Sequence, residues 1–184
     1  MTYSYNLLIS YCLPNHSFYP VRQEIRCILA MLGDKNPLVK RTIARGIAGV
    51  NSVVDCRQLI KGLYEIYNKD SNIFTNTIKW IPIDYWMKSD LGSMTNCLSS
   101  IAKDNIKKGE KWMMVVEKRR YSKYHKADII KHLADLIDEK VDLKNPDKIV
   151  RIEIIGNNAG MSVIRPNEIF SITLAASATM TATG

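Results

Sequence analysis

A ten-residue segment near the middle of the chain combines positive charge with aromatic rings. The segment from Glu117 to Lys126 holds five cations, two tyrosines and one histidine, and its only acid is the first residue. Lysine and arginine neutralise phosphates and release their counterions, while aromatic rings stack on unpaired bases. The segment therefore predicts an RNA-binding surface. Its candidate residues are Lys118, Arg119, Arg120, Tyr121, Lys123, Tyr124, His125 and Lys126.

Two other interpretations of this segment remain open. A run of charges is typical of a solvated surface loop, which would serve equally well to dock an acidic protein. Alternatively, His125 with Lys123 or Tyr124 has the residue types of a metal-free acid-base set that cleaves RNA, because histidine titrates near neutrality and lysine stabilises a developing anion.

Other catalytic and cofactor patterns are absent from the sequence. It has no phosphate-binding glycine loop, no dinucleotide fingerprint, no zinc-protease helix and no nucleophile elbow. The four cysteines, at positions 12, 27, 56 and 97, include no closely spaced pair, which favours reduced core thiols over a metal site. We therefore predict a protein that is not an enzyme, with no catalytic residue, no metal and no cofactor.

The composition is that of a basic, folded chain. Its 184 residues include 26 Lys and Arg against 18 Asp and Glu, and 46% of them are hydrophobic. The apolar content is sufficient for a core, and the net charge of +8 favours a polyanionic partner. No apolar stretch approaches the roughly 20 residues needed to cross a bilayer. Because the N-terminus also lacks the features of a secretory signal, we expect a cytoplasmic protein without a membrane partner.

Periodicity and turn residues predict the elements of the first half. A β-rich stretch over 3–13 precedes a helix that begins near Pro20 and stops at Gly33. A hairpin over 38–54, a helix capped by Asp55 and a further strand within 74–85 complete the order β-α-β-β-α-β. This is the order of a ferredoxin-like unit, with helices on one face of an antiparallel sheet.

The second half has a different predicted order, α-β-α-β-β. Its elements are a helix ending at Gly109, a strand over 112–116 buried on both faces, a helix from 130 to about 140, and a hairpin that turns at 156–160. The whole chain is therefore of the α+β class. Beyond Ser171 the chain has no charged residue, and its structure is left open.

Four strings in the second half resemble the THUMP domain. They are Gly-Glu-Lys-Trp at 109–112, Glu-Lys-Arg-Arg at 117–120, Val-Asp-Leu-Lys-Asn-Pro-Asp at 141–147, and Ile-Glu-Ile at 152–154. The resemblance covers about 85–171, and the third string is the most specific. It implies an N-terminal ferredoxin-like domain over 1–86, a THUMP α/β domain over 87–171 and an uncharged tail over 172–184.

The same resemblance implies a function. THUMP domains bind tRNA at its acceptor and unpaired 3′ end, and the small stand-alone members are similar to this chain. Those members are thought to present tRNA to a separate cytidine acetyltransferase. The resemblance thus implies tRNA and a tRNA-modifying enzyme as partners, with no DNA expected, and it extends the candidate RNA contacts to Lys144 and Asn145. If about five phosphates are neutralised, affinity should fall roughly 500-fold between about 50 and 200 mM salt.

Overall fold

The computed structural model describes residues 3–12 and 17–182. In chain order the elements are β1 (Leu7–Tyr11), α1 (Tyr19–Met31), β2 (Leu38–Arg41), β3 (Ile47–Asn51), α2 (Cys56–Lys69), β4 (Thr77–Pro82), β5 (Tyr85–Lys88), α3 (Leu91–Asn105), β6 (Trp112–Arg119), α4 (Lys126–Ala134), β7 (Lys148–Ile155), β8 (Asn158–Ile164), β9 (Phe170–Ser171) and α5 (Ile172–Ala182). They form two compact units. Among the described residues, the first unit comprises 5–12, 17–82 and 167–182, and the second comprises 3–4 and 83–166.

The first unit has the predicted β-α-β-β-α-β order. Its antiparallel sheet runs β2-β3-β1-β4-β9, and the first four strands have the order of a ferredoxin-like sheet. Gly33 has a φ of +97° and ends α1, because a left-handed residue lets the chain turn away from the helix. Asp55 caps α2 by accepting hydrogen bonds from the backbone N–H groups of Arg57 and Gln58 at 3.0 Å each. The local signals in the sequence therefore act where they were predicted to act.

The C-terminal segment belongs to the first unit. Strand β9 pairs with β4, where Phe170 lies opposite Trp80, and the Tyr64 hydroxyl donates to the Ile169 carbonyl at 2.8 Å. Ala175 of α5 is buried in the core of this unit. The sequence-based boundary at 171/172 thus differs from the structure, in which the chain re-enters the first unit at Asn167.

The second unit is a four-stranded sheet in the order β5-β8-β7-β6. Strands β6 and β7 are parallel, whereas β8 is antiparallel to both of its neighbours. Helices α3 and α4 share one core with the sheet, and Leu98, Val116, Ile129 and Ile152 are buried in it. Because β5 pairs with β8, this unit starts at Ile83 rather than after residue 86.

Some predicted elements of the second half were wrong in detail. Strand β6 extends to Arg119 and lies at the edge of the sheet; its residues are alternately buried and half-buried, so it is not enclosed on both faces. Helix α4 ends at Ala134 because the next N–H groups, such as that of Ile137, bond three residues back instead of four.

The cysteines also depart from the prediction of core thiols. Cys56 is buried and Cys97 is half-buried, whereas Cys12 and Cys27 are exposed.

Candidate nucleic-acid interface

A cleft of about 500 Å³ lies at one end of the sheet in the second unit. Strand β5 ends there at Lys88, β6 ends at Arg119, and β7 turns into β8 at Gly156 and Asn157. Parallel strands bring their carboxyl ends to the same sheet edge, which is why segments distant in sequence meet at this place. The cleft is lined by Lys88, Ser89, Asp90, Arg120, Tyr121, Ser122, Lys123, Asn157 and Asn158.

Hydrogen bonds centred on Ser89 hold the walls of the cleft together. The Ser89 N–H donates to the Asn157 carbonyl at 3.1 Å, and its hydroxyl donates to the Gly156 carbonyl at 2.9 Å. From the other wall, the Tyr121 hydroxyl donates to the Ser89 carbonyl at 2.6 Å. Burial raises the pKa of Tyr121, with smaller contributions from Tyr124 and Asp90, so the phenol stays protonated and remains a donor. The wall segments are therefore fixed before any ligand arrives.

Arg120 has an uncommon backbone conformation at the mouth of the cleft. Its φ is +53°, in the left-handed region, and it is the only non-glycine residue with positive φ in the described ranges 3–12 and 17–182. For an L-residue with a Cβ this conformation costs roughly 1–2 kcal/mol. Backbone strain of this kind is characteristic of functional sites. The conformation directs the chain from the end of β6 into the wall that carries Tyr121 and Lys123.

Three cations at the cleft are not held in a close ion pair by a carboxylate. Within the part of the chain that the structure describes, Lys88, Arg120 and Lys123 form no ion pair, and all three are exposed. The ammonium of Lys123 lies 5.2 Å from the centre of the Tyr124 ring. Their charges are therefore available to an anion from solution.

The one acid of the cleft is engaged in capping a helix. Asp90 accepts hydrogen bonds from the N–H and the hydroxyl of Ser93, at 2.8 and 3.0 Å, at the start of α3. These two bonds, the backbone one first, hold the pKa of Asp90 below its usual value, and the positive charge of Lys123 adds a smaller lowering. Asp90 is thus a charged helix cap at the edge of a site whose remaining ionised groups are positive.

Three of the five cations of the segment from Glu117 to Lys126 are engaged within the fold. The Lys118 ammonium donates to the Tyr124 carbonyl at 2.7 Å, the Arg119 guanidinium pairs with Glu153 at 2.7 Å, and Lys126 pairs with Glu117 at 3.3 Å. They shape the loop that carries Arg120 and Lys123. The structure therefore divides the sequence-predicted cations into a supporting set and an available set.

The aromatic candidates and the histidine have different positions. Tyr121 and Tyr124 are half-buried against the core, with ring centres 6.4 Å apart. His125 is exposed and immediately precedes α4, where its side chain makes no capping bond. Tyr121 lines the cleft, whereas Tyr124 and His125 do not.

Lys144 and Asn145 lie at the other end of the sheet. Their N–H groups donate to Asp142 at 3.0 and 2.9 Å, and the Asp142 N–H bonds to the carbonyl of Trp112, the first residue of β6. The cleft lies beyond the last residue of that strand, about 23 Å from its first residue, because the eight residues of β6 are separated by seven rises of about 3.3 Å. These two candidates are therefore not part of the cleft.

Sequence reasoning missed six residues that line the cleft, among them Ser122 of the predicted basic segment and Asp90, the cap of α3. Lys88 and Ser89 fall at the predicted domain boundary, and Asn157 and Asn158 fall in a segment interpreted only as a turn. They reach the cleft because β5 pairs with β8, for example Lys88 with Asn158. That pairing joins residues 70 positions apart, so no local signal in the sequence locates it.

Residues 88–164 match the THUMP domain family, so the chain contains a THUMP domain. The match begins at the last residue of β5 and ends at the last residue of β8, and it includes the cleft. An alignment over 67 residues is 33% identical to the tRNA acetyltransferase TAN1 of Saccharomyces cerevisiae. The alignment covers 33% of this chain and 23% of the yeast protein.

Solved structures share the fold over most of the chain. PH1313 from Pyrococcus horikoshii has a TM-score of 0.60 at 16% identity, covering 86% of this chain and 54% of the other. TrmN from Thermus thermophilus has a TM-score of 0.55 at 11% identity, covering 88% and 46%. A 4-thiouridine synthetase solved with RNA and ATP has a TM-score of 0.53 at 17% identity, covering 88% and 42%. The chain thus spans about half the length of these proteins, and at such identities the likeness concerns the fold.

Two features are absent from the described residues, 3–12 and 17–182. No helix there has the length and apolar character to span a bilayer. No group of three or more histidine, cysteine or acidic side chains there is arranged to hold a metal ion.

Proposed function

We propose that this chain is a non-catalytic tRNA-binding protein that presents tRNA, by its acceptor and 3′ end, to a separate tRNA-modifying enzyme in the cytoplasm. The enzyme is a cytidine acetyltransferase. The observation that carries the proposal is the cleft of the THUMP domain, where Lys88, Arg120 and Lys123 form no ion pair within the described residues. The similarity to a yeast protein named as a tRNA acetyltransferase supports the choice of modification.

The chemistry of the cleft suits phosphates flanked by unpaired nucleotides. Lysine and arginine contact phosphate oxygens and fix the register of a nucleic acid without reading its sequence. The side-chain amides of Asn157 and Asn158 supply donors and acceptors for base edges and ribose hydroxyls. The 2′-hydroxyl is the group by which proteins distinguish RNA from DNA. Such a site holds RNA by shape and charge.

A presenting protein contributes to the reaction by positioning. Holding a reactant at a fixed distance from the catalytic group converts an encounter between two molecules into a step within one complex. The bonds of Ser89 that join the walls of the cleft support this role, because a pre-formed site loses little conformational entropy on binding.

Binding to three nucleic acids tests the tRNA part of the proposal. The probes are an intact tRNA, the same tRNA without its single-stranded 3′ end, and a DNA duplex with the same number of phosphates. We expect intact tRNA to bind at least about tenfold more tightly than the other two at moderate salt, a difference of about 1.4 kcal/mol. Equal binding of all three would contradict the proposal and leave a generally basic surface.

A reconstitution tests the non-catalytic part. With an acetyl donor and tRNA, the chain alone should form no acetylcytidine, the acetyltransferase alone should form little, and the two together should form it efficiently. Acetylcytidine made by the chain alone would contradict the adaptor role. If the chain does not increase the amount of acetylcytidine that the acetyltransferase forms, that enzyme is not its partner.

A further inference from the structure

The first unit has a second cleft that the proposed function does not use. It lies between the start of α1 and β2, which is one of the two edge strands of the sheet. Its volume is about 500 Å³. This volume is in the usual range for sites that hold small molecules. The residues relevant to binding are Phe18, Tyr19, Arg22, Lys40 and Arg41, and no acid lines the cleft.

All three cations of this cleft are available to a ligand. Arg22, Lys40 and Arg41 are exposed, and none of them forms an ion pair within the residues that the structure describes. Arg41 is nevertheless held in place, since its guanidinium carbon lies 5.0 Å from the centre of the Phe18 ring, and Phe18 is itself buried in the core. Stacking on an aromatic ring orients a guanidinium without removing its charge.

Tyr19 provides the apolar surface of the cleft. Tyr19 is 67% exposed, more than the other strongly exposed aromatic residue of the described region, Tyr85, at 45%. Its hydroxyl makes no hydrogen bond to any residue of that region, so neither burial nor a polar contact explains a ring at this position. A single exposed aromatic ring is unremarkable, but a ring beside three unpaired cations has the composition of a platform that binds single-stranded nucleic acid.

We propose that this cleft binds an unpaired nucleotide of RNA, with the base stacked on Tyr19 and the adjoining phosphate held by Arg22 and Lys40. The choice of RNA rests on the proposed function, which supplies a ligand with single-stranded segments. An acidic peptide would be attracted by the same charges but would gain little from an open tyrosine ring, so the ring favours a nucleotide.

The test compares variants of the full chain on a fluorescent single-stranded RNA, the matching RNA duplex and intact tRNA. Tyr19→Ala should weaken binding of the single strand by about 5- to 150-fold, the equivalent of the roughly 1–3 kcal/mol of one base stack. Tyr19→Phe should bind like the parent chain because it keeps the ring. Tyr19→Ala should leave duplex binding unchanged, since paired bases expose no face for stacking.

Charge variants test the phosphate contacts. Arg22→Ala and Lys40→Ala should weaken both single-stranded and duplex RNA, and each should reduce the slope of log affinity against log salt by about 0.7 for the single strand. Lys61→Ala is the matched control, because Lys61 is exposed on α2 of the same unit and does not line the cleft. Thermal unfolding of each variant establishes that it is folded.

The outcomes separate this inference from the proposed function. If Tyr19→Ala binds single-stranded RNA like the parent chain, the inference is overturned, even where loss of Arg120 still weakens tRNA binding. If tRNA binds no better than a DNA duplex but Tyr19→Ala still weakens the single strand, the proposed function fails and the cleft remains a nucleotide site. A third outcome is that polyglutamate with the same number of charges displaces the RNA, while the Tyr19 variants bind RNA as tightly as the parent chain. The cleft would then serve an acidic protein, and the inference would also be overturned.

Discussion

Replacing Arg120 by glycine should weaken tRNA binding and leave the fold intact or more stable. Arg120 supplies one of the three available cations of the THUMP cleft and has a φ of +53°. Glycine adopts this conformation without strain, which is worth roughly 1–2 kcal/mol, and its greater freedom in the unfolded chain offsets about 0.5–1 kcal/mol of that gain. We therefore expect the free energy of unfolding to stay equal or to rise by up to about 1.5 kcal/mol.

The expected loss in binding follows from counterion release. Each phosphate contact contributes about 0.9 to the slope of log affinity against log salt, so loss of one contact makes the decrease between about 50 and 200 mM salt about 3.5-fold smaller. Lys123→Ala should have the same effect because Lys123 also forms no ion pair in the described region. The other cations of the chain are common to parent and variant, so they cancel in the comparison.

The assay is fluorescence anisotropy of labelled tRNA at four salt concentrations, paired with chemical unfolding of each variant. Lys103→Ala serves as the control, since Lys103 is exposed in the last turn of α3, about 20 Å along that helix from the cleft. Equal slopes for Arg120→Gly and Lys103→Ala would refute the assignment of a phosphate contact. A marked loss of stability in Arg120→Gly would refute the interpretation of its backbone as strained for function.

Three further outcomes are expected. His125→Ala should leave tRNA affinity and the integrity of incubated tRNA unchanged, whereas an RNA-cleaving enzyme based on His125 would lose its turnover. Glu153→Gln should lower the free energy of unfolding by about 3 kcal/mol or more, measured by urea unfolding, because Arg119 and Arg151 both bond this almost fully buried carboxylate. Asp142, which accepts bonds from two backbone N–H groups and from Lys111, has its pKa lowered to about 2. The stabilisation that the ionised Asp142 gives to the folded state is therefore complete above the pKa of about 3.9 in the unfolded chain. The difference in free energy of unfolding between the parent and Asp142→Asn should be constant above about pH 5 and shrink as the pH falls from about 4 to 2.

The first unit was largely predictable because its signals are local. Gly33 and Asp55 act on the helix ends next to them, and hydrophobic periodicity acts within each helix. What the local pattern could not specify was which strands pair. The segment from Phe170 has no charge and little periodicity, and it joins the first sheet only because Phe170 finds Trp80 some 90 residues earlier.

The THUMP cleft was predicted in part for the same reason. A charged segment following a strand is visible in the sequence, and Arg120, Tyr121 and Lys123 do line the cleft. Lys88 and Asn157 reach it through the register of β5 and β8, which depends on three-dimensional pairing. Lys144 and Asn145 are separated from the cleft because their loop precedes β7, which runs parallel to β6. The loop therefore lies where these two strands begin, whereas the cleft lies where they end.

A count of charges in the segment from Glu117 to Lys126 overestimates its contacts with RNA. Five phosphate contacts would reduce affinity about 500-fold between about 50 and 200 mM salt, whereas the three available cations of the cleft account for about 40-fold. The difference arises because Lys118, Arg119 and Lys126 are engaged within the fold, whereas only Lys88 joins the cleft from outside the segment. Lys118 and Arg119 bond Tyr124 and Glu153, where they position the loop. Replacing either of these residues should lower stability as well as binding, whereas replacing Lys123 should lower binding alone. The ratio of the two losses, measured variant by variant, therefore distinguishes cations that build the site from cations that bind the phosphate.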